Sequence, residues 1–425
     1  MKKRFAFALS VILGLIVTTN LLAYDWYNIG AAGFTLGQAD YTNLCLNENG
    51  IPYIVFKDVP TLSRATVMKY SGSSWEIVGS AGISAGEANY TNMAFNANGE
   101  PYVAFQDGAN SDKATVMKYN GSTWEIVGSA GFSAGAARYT CLAISSSGMP
   151  YVAYRDASNS NKVSVMKYNG SSWVHVGSAG FSVGASDYIS FVINESDVPY
   201  VAYQDASYGS KITVMKYNGT SWETLGSAGF SKSYAYFISL AVSREGIPFV
   251  LYQDGGNGFK ATAKKFNGTA WETVGSVGFS ASQASRQSLA IDTSGAVYAA
   301  YHDDGHDSKA TVMKFNGTVW DSVGHCGFSS GEVVDLSLVI TRDGIPVLAY
   351  QDDANSMKAS VMKYAENSEI PVSIKSIPCE HEILNIYPNP FNPSTRLEYT
   401  LSLNSTIECS IFDVSGQLIK EFNLS

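Results

Sequence analysis

The sequence predicts an all-β chain folded mainly as a seven-bladed β-propeller, and three observations carry that prediction. Trp26, Trp75, Trp124, Trp173, Trp222, Trp271 and Trp320 are the only tryptophans in the chain, and they stand 49 residues apart every time. Each 49-residue unit reads as four short strands separated by turn residues, which is one propeller blade. The copies are also staggered. A lone fourth strand, residues 25–30, precedes the first strand triplet, and the last triplet has no fourth strand after it.

Taken from the N-terminus, Met1-Lys2-Lys3-Arg4 is basic, and an apolar run from Phe5 to Thr18 leads to Leu21-Leu22-Ala23. That pattern predicts a secretory signal peptide over residues 1–23, cleaved after Ala23. The run is short for a membrane anchor, and no second apolar segment of spanning length follows. The mature chain is expected to be exported, with no membrane span.

A representative blade begins with an alternating strand over residues 90–96, turns at Asn98-Gly99 and continues as a second strand over 101–106. A loop over 107–112 leads to a third strand over 113–119. Asn120-Gly121 then supplies a turn in which positive φ is cheap, and residues 124–127 form the fourth strand. The economical assembly places residues 25–30 in the seventh blade, so that the chain ends meet and no sheet edge is left open. An open solenoid would leave both terminal repeats incomplete and uncapped. The propeller is therefore assigned to residues 24–366.

The 49-residue length is close to that of kelch-type propellers, without their Gly-Gly signature or the Trp-Asp of WD repeats. Val116-Met117-Lys118-Tyr119-Asn120-Gly121-Ser122-Thr123-Trp124 more closely resembles the tandem propeller repeats of secreted bacterial proteins. Residues 367–385 read as a linker. Ile386-Tyr387-Pro388-Asn389-Pro390-Phe391-Asn392-Pro393 and the alternating segments after it resemble the C-terminal sorting domain of the type IX secretion system. The resemblance implies an Ig-like β-sandwich over 386–425 that engages the secretion machinery. With the chain ending at Ser425 after about three strands, an incomplete sandwich is expected.

Composition excludes some partners. Only 15% of residues are charged and the formal net charge is -9, which argues against nucleic acid, a ligand that demands a clustered basic surface. Cys45, Cys141 and Cys326 occupy repeat columns otherwise filled by small residues, so they read as packed thiols. Cys379 and Cys409 lie outside the repeats and could pair.

Residues identical in every blade serve something all blades share. The tryptophans read as blade-to-blade packing, with sugar stacking as the functional alternative. Asp58, Asp107, Asp156, Asp205, Asp254, Asp303 and Asp352 end the second strands, each six residues before a base such as Arg64 or Lys113. They read as loop anchors neutralised by that base, with a ring of bound cations as the alternative. Lys69 and its six equivalents end the third strands at the opposite end of each blade and read as solvated strand-end charges.

Residues that vary at one geometric position are free to define a site. The connection from fourth to first strand travels inward, so its last residues should ring the mouth of the central channel. One column there holds Asp40, Asn89, Arg138, Asp187, Tyr236, Ser285 and Val334. The next holds Tyr41, Tyr90, Tyr139, Tyr188, Phe237, Arg286 and Asp335. Aromatic faces beside directional polar groups suit a carbohydrate or an extended peptide. The candidate ligand-binding residues are Asp40, Asn89, Arg138, Asp187, Tyr236, Arg286, Asp335, Tyr41, Tyr90, Tyr139 and Tyr188. The alternative is that the tyrosines merely close the rim by packing.

No nucleophile motif, phosphate loop or zinc signature is present, so neither an enzyme nor a cofactor or metal is expected. His302-Asp303-Asp304-Gly305-His306-Asp307 has metal-ligand residue types on one loop and reads as a polar surface loop. Asp40, Asp187, Asp335, Glu87 or Glu332 could supply paired carboxylates to a hydrolase or lyase. The expectation is an exported or cell-surface binding or adhesion module whose ligand is a carbohydrate or an extracellular protein. A polysaccharide hydrolase or lyase and a purely structural surface protein are the alternatives.

Overall fold

A computed structural model describes residues 24–366, 383–387, 396–399, 407–412 and 418–424. The signal-peptide expectation, residues 367–382 of the expected linker and Cys379 lie outside the described residues, while residues 383–385 of that linker belong to a strand. The chain divides into two compact units, and Trp26–Ala365 form one of them.

That unit is a ring of seven four-stranded antiparallel sheets. In blade one, β2 (Ala39–Leu46) is innermost, followed by β3 (Pro52–Asp58), β4 (Arg64–Tyr70) and the short outer β5 (Trp75–Ile77). The six later blades repeat this order. β1 (Tyr24–Asn28) is the outermost strand of the seventh sheet, beside Lys358–Glu366, so the N-terminus closes the ring as expected.

The core is not central. It lies in seven apolar layers, one in each gap between neighbouring blades, and the second strands are its largest contributors. Alternation is lost in those strands. All seven residues of Pro101–Asp107 are buried, because both faces of the sheet pack against a neighbour.

Every tryptophan spans a gap. The Trp173 indole N–H donates to the Val127 carbonyl of the preceding blade at 2.8 Å, and its ring stacks on Phe132 at 3.9 Å. At the closure, Trp26 donates to the Val323 carbonyl at 2.7 Å and stacks on Phe328 at 4.1 Å. The indole N–H of every tryptophan and one ring face of six of them are thus committed to blade-to-blade packing. The repeated glycine after the outer strand exists for this contact. Gly128 has φ +75°, and a Cβ there would lie 3.1 Å from Cδ1 of Trp173.

The aspartate column anchors the loops by a route that differs in part from expectation. Asp107 precedes a 3-10 turn, Gly108–Asn110, and accepts from the Ala109 N–H at 3.1 Å, the Asn110 side-chain amide at 2.8 Å and the Thr115 hydroxyl at 2.8 Å. Hydroxyl and amide donors hold these carboxylates. The ion pairs among the described residues include none between this column and the base six residues on. Blade one departs locally. Pro60 stands where five of the other blades supply a capping N–H, and Asp58 Oδ1 is buried without a hydrogen bond; Asp352 in blade seven also lacks the cap bond, and its Oδ1 is likewise buried without a partner.

A second circle of bonds joins the inner strands. Met93 N–H donates to Asn43 Oδ1 at 2.9 Å, Leu142 N–H to Asn92 Oδ1 at 2.8 Å, and Leu240, Leu289, Leu338 and Leu44 donate to serine hydroxyls of the blade before. Cys141 replaces the acceptor in one blade, where its thiol donates to the Ile189 carbonyl at 3.2 Å. Burial pushes the Cys45 and Cys141 thiols up to about 12, consistent with packed residues.

The C-terminal unit contains four described strands in two antiparallel pairs, Ile383–Tyr387 with Arg396–Tyr399 and Ile407–Phe412 with Leu418–Leu424. That is one strand more than the three read from the sequence. Among the described residues, no helix is long and apolar enough to cross a membrane.

Candidate functional site

The inner strands begin two residues earlier than the alternation suggested, because each carries a β-bulge near its start. In blade three, Arg138 pairs with Arg155 and Cys141 pairs with Ala153, so the intervening residues are displaced from the ladder. The bulge places Tyr41, Tyr90, Tyr139, Tyr188, Phe237, Arg286 and Asp335 at φ between 50° and 53°. Left-handed backbone at a bulky non-glycine residue costs roughly 1–2 kcal/mol. It recurs in every blade and re-aims this whole column.

The redirected side chains form a continuous circle. Tyr41 and Tyr90 have ring centroids 4.9 Å apart, Tyr90 and Tyr139 5.1 Å, Tyr139 and Tyr188 5.8 Å, and Tyr188 and Phe237 5.2 Å. The aromatic arc stops there. Arg286 follows, its guanidinium 3.4 Å from Asp335, and Asp335 accepts the Tyr41 backbone N–H at 2.7 Å to close the circle. Hydroxyls brace the bulges, as where Thr91 donates to the Tyr41 carbonyl at 2.6 Å.

A cavity of about 220 Å³ lies inside this circle, lined by Tyr41, Thr42, Asn43, Tyr90, Thr91, Tyr139, Thr140, Cys141, Ile189, Asp335 and Leu336. Tyr41, Tyr90, Tyr139 and Asp335 are the sequence-derived candidates that it brings to one surface. Burial first, then neighbouring phenols and carboxylates, pushes the Tyr41 and Tyr139 hydroxyls up to about 12. Both therefore stay neutral at physiological pH and can donate as well as accept hydrogen bonds. Burial likewise raises the Asp335 carboxyl, against the lowering effect of the Tyr41 N–H and Arg286.

The other candidate column stands one residue earlier, on the rim. Its partners are the penultimate positions of the second strands, Lys57, Gln106, Arg155, Gln204, Gln253, His302 and Gln351, of which the sequence reading had singled out His302 alone. They reach toward the next blade. Lys57 donates to Asn89 at 2.9 Å and pairs with Glu87, Arg155 pairs with Asp187 at 2.6 Å, and Gln351 donates to Asp40 at 2.7 Å. Gln204 donates to the Ala235 carbonyl at 2.6 Å. A visible signal was available: the position immediately before the invariant aspartate is not constant, being Gln in four blades and Lys, Arg or His in the other three.

Two candidates behave differently from the rest. Tyr236 turns toward Tyr188 and Tyr234, at 5.7 and 5.6 Å. Arg138 is exposed and has no ion pair among the described residues.

The histidine-containing loop divides in two. His302 sits on the rim with Nδ1 3.0 Å from the Ser285 hydroxyl and Nε2 3.4 Å from Glu332, whereas His306 points to Asp303 at 2.9 Å as part of the loop anchor. Among the described residues, no three His, Cys, Asp or Glu side chains converge as a metal-holding group.

Residues 385–425 match the secretion system C-terminal sorting domain. This sorting domain indicates an exported or cell-surface protein. No curated protein matches the chain. Among solved structures, an ulvan lyase from a polysaccharide lyase family, bound to -[GlcA(1-4)Rha3S]-, is 13% identical over 79% of this chain and 94% of its own, with a TM-score of 0.51. A protein of unknown function from Dyadobacter fermentans is 12% identical over 80% of this chain and 97% of its own, with a TM-score of 0.47. The Aleuria aurantia lectin in complex with Fucalpha1-6GlcNAc is 16% identical over 71% of this chain and 100% of its own, at 0.45. At such identities the likeness is one of fold.

Proposed function

We propose that the protein is an exported, surface-associated carbohydrate-binding module, with residues 1–23 as its leader and the channel mouth as its site. The observation that carries this reading is a cavity of about 220 Å³ lined by Tyr41, Tyr90, Tyr139 and Asp335, beyond which the aromatic arc continues through Tyr188 to Phe237 and Arg286 pairs with Asp335. Aromatic surface receives the apolar faces of sugar rings, and neutral phenols and a held carboxylate hydrogen-bond their hydroxyls. The cavity is below the roughly 300–1,000 Å³ of drug-sized sites, so one saccharide unit enters and the rest of the ligand lies across the rim.

Binding without turnover is favoured by the state of the carboxylates. Asp187 is committed to Arg155, Asp40 accepts amides from Gln38 and Gln351, and Asp335 is tied to the Tyr41 backbone and Arg286. A general acid or base needs a pair left available for the scissile bond.

The test is a binding screen of the purified chain against polysaccharides and glycans, with reducing-end release followed in the same wells. Binding without release is expected. It should weaken about tenfold or more in Tyr139→Asn, which removes the phenol while retaining a residue tolerant of left-handed backbone. Release of reducing ends would overturn the non-enzymatic reading, and unchanged binding by Y139N would overturn the site.

A further inference from the structure

In blade three the rim pair is Arg138 opposite Arg155, directly in register on adjacent antiparallel strands. Like charges so placed repel, and no other blade sets two cations there; the equivalents include Asp40 with Lys57 and Asp187 with Gln204. Asp187 offsets Arg155 alone, through Nη1 at 2.6 Å, while Arg155 Nε is buried without a hydrogen bond. The other rim cations are matched, Lys57 by Glu87 and Arg286 by Asp335. Arg138 is left as an exposed guanidinium without an ion pair among the described residues, next in sequence to cavity-lining Tyr139. Folding does not require this uncompensated charge, since six blades form without it. An anionic ligand would turn the local repulsion into attraction.

The far side of the mouth has the opposite sign. Asp304 and Glu332 flank His302, and Asp40 lies on the next blade but one. A polyanion wrapped around the whole rim would meet those carboxylates. A saccharide with a single acid group would not, if that group faces blade three.

We infer that the ligand is an acidic saccharide whose carboxylate or sulfate ester is held by Arg138, with Arg155 behind it, while its ring lies on the tyrosine arc. The inference rests on the carbohydrate-binding reading above. A guanidinium suits both groups because its planar fork matches two acceptor oxygens at once.

The test titrates the purified chain and its Arg138→Gln variant with galactose oligosaccharides that carry a single acid group, either one terminal galacturonate or one galactose sulfate ester. Each is measured beside its neutral counterpart, methyl-esterified or desulfated. The wild-type protein is expected to favour one acidic probe by about tenfold, the size of one charge-assisted hydrogen bond, and the arm that shows it names the acid. R138Q should abolish the difference between that probe and its neutral counterpart. Arg138→Lys should recover part of the preference, and added salt should shrink it. Equal binding of acidic and neutral probes, or an undiminished preference in R138Q, overturns the inference and leaves the saccharide reading standing. Absence of binding to every probe overturns both.

Discussion

Replacing Trp26 with alanine tests whether the ring is closed by its own N-terminus. The side chain is 6% exposed, its indole donates to Val323 at 2.7 Å, and its ring stacks on Phe328 at 4.1 Å and 3°. Truncating a buried tryptophan costs about 3–5 kcal/mol. For a unit spanning Trp26–Ala365, an unfolding entropy of roughly 2 cal/mol/K per residue gives about 0.7 kcal/mol/K. W26A should therefore lower Tm by about 4–7 °C. The measurement is thermal unfolding by circular dichroism, with Trp124→Ala as the reference. Trp124 makes the same hydrogen bond across an internal gap, to Val78 at 2.8 Å, so its truncation should cost a similar amount. A double-mutant cycle with Phe328→Ala isolates the stacking energy, expected at about 0.5–1.5 kcal/mol. If W26A shifts Tm by less than about 1 °C while W124A shifts it several degrees, the terminal strand does not close the ring, since exposed substitutions stay within about 0.5 kcal/mol.

Five further substitutions separate the shared devices of the blades. Gly128→Ala should lower stability by about 1–3 kcal/mol in chemical denaturation, because the new Cβ meets Trp173 at a positive φ; an unchanged midpoint would show that the glycine is incidental. Asp156→Asn should destabilise at neutral pH by about 1–3 kcal/mol, since Ser158, Asn159 and Ser164 donate to that carboxylate, whereas Asp58→Asn should be neutral or stabilising because Asp58 Oδ1 lacks a donor. Burial raises the folded-state value of the Asp58 carboxyl, so its ionised form costs stability at neutral pH. That cost is relieved as pH falls through the raised value toward the ordinary 3.8, and the advantage of D58N over wild type should shrink in the same window. Cys141→Ser should keep Tm within about 1 °C by restoring the hydroxyl found at Ser190, whereas Cys141→Val should cost about 1 kcal/mol through the lost polar contact.

Much of the architecture was legible because the chain states it seven times. The tryptophan period set blade length, and the stagger of Trp26 against the missing eighth copy set the closure, which the pairing of Tyr24–Asn28 with the last sheet realises. The loop-anchoring role of the aspartates also followed from position, since a short carboxylate before a turn meets the backbone N–H two residues on, as it does in five of the seven blades. The donors that replace the expected lysine did not follow. Thr115 reaches Asp107 across the sheet, and strand pairing alone places it there.

The site was less legible. Nothing in a tyrosine announces left-handed backbone, and Tyr, Phe, Arg and Asp share it at φ near 50° because the bulge belongs to the strand and not to the residue. Sequence reading placed the column at the channel mouth by chain length alone. It could not show that five aromatic rings touch in succession, because each contact joins residues on separate blades.

By itself, the sequence determined what is local and repeated: the strand and turn order, the number of blades, and the residues every blade must keep to pack on the next. The tertiary structure decided what depends on curvature. The ring brings Asp335 to Tyr41 across 294 residues of chain and sets Gln351 on Asp40 across 311. Seven near-identical units bent into a circle place one variable residue from each around a single axis, so the character of the mouth belongs to the assembly and to no single repeat.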